Sequence, residues 1–270
     1  LILRKPLVIR VEGDFLWESY VERTRRDITL SEFYKSPPLL SRKETLVRWL
    51  SGWVMRRATK LVFSSEWRRK MVIDAFKLSS EKTLIIQNVF PFEKGPDQKP
   101  RGNNIILWAG RVLYLKNLEK LIRAFADIKV SSYELHLVGE GPEKSKLEQL
   151  IKEYRAEDRI KFFPPMSHHK LMGKLVLSKG VVLPSLSDVG PNIVAEAIAN
   201  LVPVIMTKES GYAEIFRENV ILVNPLDENE LHYQLEKFMK EPAARTVPNL
   251  SFIRSWHAAA GNWLELFKIL

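Results

Sequence analysis

The chain has 270 residues, of which 46% are hydrophobic, enough for one large or two medium globular domains. It contains no cysteine, which excludes a disulfide framework, a thiolate metal site and a cysteine nucleophile. No apolar run approaches the roughly 18 residues that a membrane-spanning helix needs. The net charge is +10, and most of the excess lies in the first 100 residues, which carry 20 basic and 12 acidic side chains.

The first hundred residues contain three predicted strands, at 6–11, 60–64 and 83–86. A helix that carries Trp49 and Trp53 is predicted between the first two strands. It lies in the stretch 42–70, where nine basic residues interleave with apolar residues at helical spacing. A basic amphipathic helix with tryptophans can lie on an anionic membrane surface. The width of this apolar stripe favours packing in the core instead. Nucleic acid is a weaker choice, because no nucleic-acid-binding motif accompanies the charge.

Strand and helix patterns alternate through the rest of the chain, after a polar stretch rich in proline and glycine at residues 92–103 that we interpret as a linker. The predicted strands are 105–109, 134–138, 160–163, 180–183, 204–206 and 220–223. Strands that alternate with helices imply a parallel sheet with helices on both faces, as in a Rossmann-like domain.

The segment from Ser185 to Ile205 predicts a ligand site. Asp188 lies on the loop that follows a strand, and Glu196 lies in the helix after that loop. In open α/β sheets, ligands bind at the carboxyl ends of strands, and a helix N-terminus offers free N–H groups to an anion. Such a site can hold the hydroxyls and the phosphates of a sugar nucleotide. A helix whose carboxylates merely cap it or face solvent is the alternative for this segment taken alone.

A second segment ends the strand at 105–109. Gly110 and Arg111 follow that strand, and Lys116-Asn117 precedes the next helix. Glycine permits a sharp turn and close approach of a ligand. Arginine offers a planar fork to phosphate oxygens, and lysine offers a point charge. The pattern suits a phosphate-binding loop, and two ordinary surface cations are the alternative.

These two segments, in this order, resemble the donor-binding motifs of retaining glycosyltransferases of family 4 (group 1 glycosyltransferases). In that family two glutamates are separated by seven residues, and here Asp188 and Glu196 keep the spacing. The resemblance covers most of the chain and is strongest between Trp108 and Ile205. It implies an α/β fold of the GT-B type, with two Rossmann-like domains, the C-terminal one complete and the N-terminal one partial. The family's first glycine-rich loop has no counterpart here, so we expect an N-terminally truncated member.

The resemblance also implies the domain organisation. Residues 1–96 would form the partial, acceptor-side domain, and residues 97–250 the domain that binds the nucleotide sugar. Residues 251–270 would form a C-terminal helix that packs back on the N-terminal domain.

The resemblance assigns the functional residues of the family to matching positions of this sequence. Arg111, Lys116 and Asp188 would be catalytic: the two cations neutralise the leaving diphosphate, and Asp188 holds sugar hydroxyls. The implied donor-binding residues are Gly110, Arg111, Lys116, Asp188, Gly190, Pro191, Asn192, Ile193 and Glu196. Glu12, Gly13 and Asp14 stand where many members carry His-Gly-Asp beside the reacting sugar. Because Glu12 replaces the histidine, that role is not carried over, and these three residues are acceptor-side candidates or simply turn residues.

The implied activity is transfer of a sugar from a nucleotide-diphosphate sugar to a glycan or lipid-linked acceptor. No metal and no cofactor would be required, and no nucleic acid would bind. We expect the protein in the cytoplasm or peripherally at the inner face of the membrane, in cell-envelope polysaccharide synthesis. Pro164 and Pro165 stand where the family tends to have glycine, which leaves the base of the donor open. The alternatives are a non-catalytic module that binds sugar nucleotides or docks on membranes, or an epimerase or phosphorylase on the same fold.

Overall fold

The computed structural model describes residues 5–90, 103–129, 132–241 and 256–268. Among these residues it contains two separate parallel sheets, one of three strands and one of six. The mixed α/β fold class with parallel sheets is therefore confirmed.

The three-stranded sheet belongs to the first part of the chain and has the order β1-β2-β3. Three helices, not one, connect β1 to β2. The elements of this part are β1 (Val8–Val11), α1 (Phe15–Thr24), α2 (Leu30–Lys35), α3 (Arg42–Arg57), β2 (Lys60–Phe63), α4 (Glu66–Phe76), a 3-10 turn (Ser80–Lys82) and β3 (Thr83–Ile85).

The six-stranded sheet belongs to the second part and has the order β6-β5-β4-β7-β8-β9. Its elements are β4 (Asn103–Ala109), a 3-10 turn (Tyr114–Lys116), α5 (Leu118–Asp127), β5 (Glu134–Val138), α6 (Lys144–Glu153), β6 (Ile160–Phe163), α7 (His168–Leu177), β7 (Ser178–Leu183), α8 (Asn192–Ala199), β8 (Val204–Thr207), α9 (Ala213–Phe216), β9 (Val220–Val223) and α10 (Glu228–Lys240). A last helix, α11 (Trp256–Lys268), follows.

This strand order places a ligand crevice at a defined point. The chain moves outward from β4 to β6, and then returns to the other side of β4 to build β7, β8 and β9. The order reverses between β4 and β7, which pair directly in parallel. At such a switch point the loops at the carboxyl ends of the two strands diverge and leave a cleft. Both segments singled out in the sequence follow these two strands.

Helix starts in the first part are set by side-chain caps. The carboxylate of Asp14 accepts a hydrogen bond from the backbone N–H of Trp17 at 2.8 Å and begins α1. Ser41 and Glu44 form a reciprocal capping box at the start of α3. Each cap contributes on the order of 1 kcal/mol, so these helix boundaries are encoded locally.

The first part packs through α1 and α2 on the loops of the second part that border the crevice. The carboxylate of Glu22 accepts the backbone N–H of Leu115 at 3.0 Å. The hydroxyl of Ser187 accepts the backbone N–H of Leu30 at 2.8 Å. Leu115 also belongs to the apolar core of the first part. The crevice therefore has one wall from each part of the chain.

Helix α3 leaves most of its apolar stripe exposed, so the expectation that the whole stripe packs in the core is wrong. Its large apolar side chains Leu46, Trp49, Leu50, Trp53 and Val54 are all exposed, with Trp49 at 56%. The helix instead buries Glu44, Gly52 and Met55. Periodicity reveals that a helix has two faces, but it does not reveal which face meets the core.

Helix α11 lies against the small sheet, where Leu266 packs with Val62 of β2 and with Ile86. The predicted domain boundaries at residues 96 and 250 lie outside the described residues and stay predictions. The same holds for the predicted linker at 92–103, except for its last residue, Asn103, which begins β4. In the part of the chain that the structure describes, no helix combines the length and the apolar character needed to cross a membrane.

Candidate functional site

A cleft of about 360 Å³ opens at the carboxyl ends of β4 and β7. Eight of the nine predicted donor-binding residues line it together. They are Gly110, Arg111, Lys116, Asp188, Gly190, Pro191, Asn192 and Ile193. Residues 110–116 follow β4 and residues 188–193 follow β7, so it is the strand order that brings two distant segments to one place.

Lys116 and Asp188 form an ion pair inside this cleft. The Lys116 Nζ donates to Asp188 Oδ2 at 2.7 Å, and the two side chains are only 21% and 12% exposed. The other oxygen of Asp188 accepts the backbone N–H of Gly190 at 3.3 Å. The backbone of Asp188 is itself held by Glu209 and Gly211. The carboxylate is therefore fixed between a cation and the loop that leads into α8.

Arg111 is exposed at the mouth of the cleft, one residue after Gly110. The backbone N–H of Gly110 donates to the carbonyl of Val138 at 3.0 Å, which anchors the turn after β4 to the neighbouring strand β5. A guanidinium on an anchored turn can reach anions without moving the backbone.

Asn117 keeps this loop in place. It adopts a left-handed backbone with φ 57°, which asparagine tolerates better than most residues. Its amide nitrogen donates to the carbonyls of Pro184 at 3.0 Å and Pro225 at 2.9 Å. The Lys-Asn pair thus combines a cation in the cleft with a buried amide that ties together three loops at the carboxyl edge of the sheet.

Glu196 is the predicted donor-binding residue that does not line the cleft among the described residues. It lies one turn into α8, and its carboxylate is 2.9 Å from Nε2 of His168 at the start of α7. Its side chain is 12% exposed. The resemblance implies that Glu196 holds the ribose hydroxyls of the donor, and this role stays a prediction.

Glu12, Gly13 and Asp14 are not in this cleft. They line a different cavity of about 560 Å³ between β1 and the helices α3 and α4. Asp14 is buried, and besides capping α1 its carboxylate pairs with Arg68 at 2.6 Å and accepts the hydroxyl of Tyr34 at 2.7 Å.

The pKa of Tyr34 reflects the exclusion of water from this interior. Burial, followed by the charge of Asp14, raises the pKa of the Tyr34 hydroxyl well above its ordinary value. The network gives Asp14 a structural role, and its acceptor-side role stays a prediction.

Glu18 also lines the cleft at the carboxyl ends of β4 and β7 and was not among the predicted residues. It lies in the first turn of α1, four residues after the Asp14 cap. Burial raises the pKa of its carboxyl. A hydrogen bond between this carboxyl and the backbone of Asp14, together with the nearby cations Lys116 and Arg111, opposes the shift. The sequence feature that could have identified Glu18 is an acidic residue in the first turn of a helix that directly follows a strand.

Within the described ranges, no three His, Asp or Glu side chains come together in a way that could hold a metal ion.

Comparison with known proteins places this cleft in context. The chain is 25% identical over 214 residues to AmsD, an amylovoran biosynthesis glycosyltransferase of Erwinia amylovora, which is 73% of this chain and 60% of AmsD. It is 24% identical over 228 residues to RfbU, the O-antigen chain mannosyltransferase of Salmonella typhimurium, covering 82% of this chain and 64% of RfbU. The chain thus spans less than two thirds of the length of either relative.

Solved structures share its fold. HepE from Anabaena, crystallised with UDP-glucose, superposes with a TM-score of 0.78 at 19% identity, over 99% of this chain and 73% of HepE. The family model described as Glycosyl transferases group 1 matches residues 89–249, which include every residue that the second part contributes to this cleft. Because that match covers more than half of the chain, the chain belongs to the group 1 glycosyltransferases and has their GT-B fold.

Proposed function

We propose that this chain transfers a sugar, with retention of anomeric configuration, from a nucleotide-diphosphate sugar to a hydroxyl of a glycan or lipid-linked acceptor. The observation that carries the proposal is the cleft at the switch point, where Arg111, Lys116 and the start of α8 converge. Two cations and the free N–H groups of a helix N-terminus together suit a diphosphate. The neighbouring Asp188 suits the hydroxyls of a sugar attached to it.

The chemistry assigned to these residues is electrostatic. The bond between the anomeric carbon and the diphosphate oxygen breaks, and its electron pair stays on the diphosphate. The acceptor oxygen bonds to the anomeric carbon, and its proton passes to the departing diphosphate. Arg111 and Lys116 stabilise the charge that grows on that diphosphate, an effect of roughly 3–4 kcal/mol for one such donor. We propose that these cations and α8 make a metal unnecessary, so activity should survive a chelator.

The donor-binding role is tested by calorimetry with UDP, GDP, ADP and their nucleosides. Arg111→Ala and Lys116→Ala should each weaken diphosphate binding about 10- to 100-fold, as expected for a hydrogen bond to a charged group, and should leave nucleoside binding nearly unchanged. Arg217→Ala is the matched control, because Arg217 is an exposed cation outside the cleft. Equal losses for diphosphate and nucleoside would contradict the phosphate assignment.

Retention and acceptor class are separate proposals. Retention is supported by the resemblance of residues 188–196 to a retaining family, and the anomeric configuration of the product, read by NMR coupling constants, tests it. A cell-envelope acceptor is supported by the names of AmsD and RfbU, which concern amylovoran and O-antigen. Failure to detect transfer despite saturable donor binding would instead favour a non-catalytic sugar-nucleotide-binding module.

Membrane docking is a second candidate function, and the exposed face of α3 favours it. Trp49 and Trp53 are 56% and 41% exposed there, beside the exposed cations Arg56 and Arg57. Tryptophans next to basic residues suit an anionic lipid surface. We propose that this face binds such a membrane from the cytoplasmic side.

Sedimentation with vesicles tests the docking proposal. Binding should require phosphatidylglycerol, should fall with added salt and should be lost in the Trp49→Ala/Trp53→Ala variant. Trp256→Ala, which removes an exposed tryptophan of α11, is the control. Equal binding to pure phosphatidylcholine, or full binding by the double variant, would refute the proposal.

A further inference from the structure

Glu18 is the acidic side chain that the first part of the chain contributes to the donor cleft. The other lining residues lie between Ala109 and Ile193, in the second part. Glu18 therefore faces the proposed diphosphate-binding residues from the opposite wall.

Helix α1 holds Glu18 in that position from both sides. The helix begins at the buried Asp14 cap, four residues before Glu18. One turn after Glu18, the carboxylate of Glu22 accepts the backbone N–H of Leu115, in the turn that ends at Lys116. Residues four apart lie on one face of a helix, so Glu18 and Glu22 both face this turn. The placement of Glu18 is a consequence of how the two parts of the chain dock.

A carboxylate is an unfavourable lining for a cleft that takes a purely anionic ligand. A diphosphate bound by Arg111 and Lys116 would bring like charge into the space that Glu18 borders. The same carboxylate is favourable when the ligand also presents hydroxyl groups, because an ionised carboxylate is an acceptor with two oxygens. A nucleotide sugar has such hydroxyls on the transferred sugar, whereas a free nucleotide diphosphate has them only on its ribose.

We propose that Glu18 accepts hydrogen bonds from hydroxyls of the transferred sugar, across the cleft from Asp188, and that it determines the preference of the site for the nucleotide sugar over the free nucleotide diphosphate. The inference rests on the proposed donor site and names a specificity residue within it. The half-buried position of Glu18 supports it: the carboxylate already accepts a hydrogen bond from the backbone of Asp14, and its remaining acceptor sites can take sugar hydroxyls in the cleft that it lines.

The test compares two ligands in the same variant. Wild type, Glu18→Ala, Glu18→Gln and the control Glu32→Ala, an exposed acid on α2, are titrated with UDP-glucose, UDP-N-acetylglucosamine, GDP-mannose, ADP-glucose and the corresponding free diphosphates. In Glu18→Ala, the bound nucleotide sugar should lose about 10-fold or more in affinity, whereas its free diphosphate should bind equally well or more tightly. Glu18→Gln, which keeps one acceptor oxygen without the charge, should fall between. Melting curves of each variant show that it is folded.

The outcomes distinguish failure of the Glu18 assignment from failure of the proposed donor site. A loss of affinity for the nucleotide sugar that is larger than any loss for its free diphosphate supports the assignment of Glu18, and a larger loss for the diphosphate overturns it. Equal changes for both ligands, or no change for the sugar, overturn it while leaving the donor site standing. A wild-type chain that binds none of these ligands overturns the proposed function, and the assignment of Glu18 with it.

Discussion

Replacing Asp14 by alanine separates a structural role from a role in acceptor binding. The carboxylate is 5% exposed, and three groups use it at once: the backbone N–H of Trp17, the hydroxyl of Tyr34 and the guanidinium of Arg68. Arg68 is itself only 3% exposed in this pair. Removing Asp14 leaves that cation buried without its partner.

The magnitude follows from these contacts. Breaking a buried ion pair by removing one partner costs about 3–5 kcal/mol. Loss of a helix N-cap costs about 1 kcal/mol. Because one carboxylate makes both contacts, the two costs overlap, and we expect at least about 4 kcal/mol. For a protein of this size, such a loss lowers Tm by roughly 8–16 °C.

The assay is thermal unfolding of wild type, Asp14→Ala, Asp14→Asn, Arg68→Met and the Asp14→Ala/Arg68→Met double variant. Asp14→Asn keeps the cap and one acceptor oxygen, so it should lose less than Asp14→Ala. The double variant removes the stranded cation, so it should be more stable than the sum of the single losses predicts.

A decrease of under about 1 kcal/mol in the free energy of unfolding for Asp14→Ala would refute this reasoning, because an uncompensated buried guanidinium should destabilise the protein by more than that. The same variants test the acceptor-side prediction. Selective loss of sugar transfer in a stable Asp14→Asn protein would support a direct role, whereas activity that follows stability would support the structural one.

Further predictions concern the cleft and its supports. Burial raises the pKa of Glu18 above its ordinary value of 4.5, so wild type should lose stability as the pH rises through the folded pKa. Glu18→Gln should remove this loss: the variant should be the more stable protein near pH 8, and pH-dependent melting should show the difference vanish near pH 4. Asn117→Ala leaves two buried carbonyls without a hydrogen-bond donor and should lower the free energy of unfolding, measured by chemical denaturation, by about 2–4 kcal/mol. Asn117→Gly should lose nearly as much, because glycine removes the backbone strain but does not restore the hydrogen bonds. Gly141→Ala would place a Cβ 2.2 Å from the carbonyl oxygen of Val112, beside the turn that we propose binds phosphate, so both Tm and diphosphate affinity should fall. Gly173→Ala on α7 meets nothing within 4 Å and should leave both unchanged or raise Tm slightly.

Much of the second part could be predicted from the sequence. Alternating apolar strands and amphipathic helices have local causes, and the six predicted strands correspond to β4 through β9 with ends shifted by a few residues. Parallel pairing then brings every loop that follows a strand to one edge of the sheet. That is why Arg111, Lys116 and Asp188 could be assigned to one site from segments some seventy residues apart.

The first part could be predicted less well, because its helices depend on docking. Helices α1 and α2 have modest apolar faces, and their positions are determined by contacts of Glu22 and Leu30 with the second part. The exposure of Trp49 on α3 also depends on which face meets the small sheet. A periodic pattern alone leaves that choice open.

The sequence by itself thus determined the fold class and identified Arg111, Lys116 and Asp188 as residues of one cleft, because each lies in a short local pattern that follows a strand. Only the tertiary structure decided that Asp14 serves a buried network and that Glu18 faces the cleft. The physical reason is that burial and electrostatic environment arise from neighbours distant in the chain: the partner of Asp14 is Arg68, and the cations near Glu18 are Arg111 and Lys116.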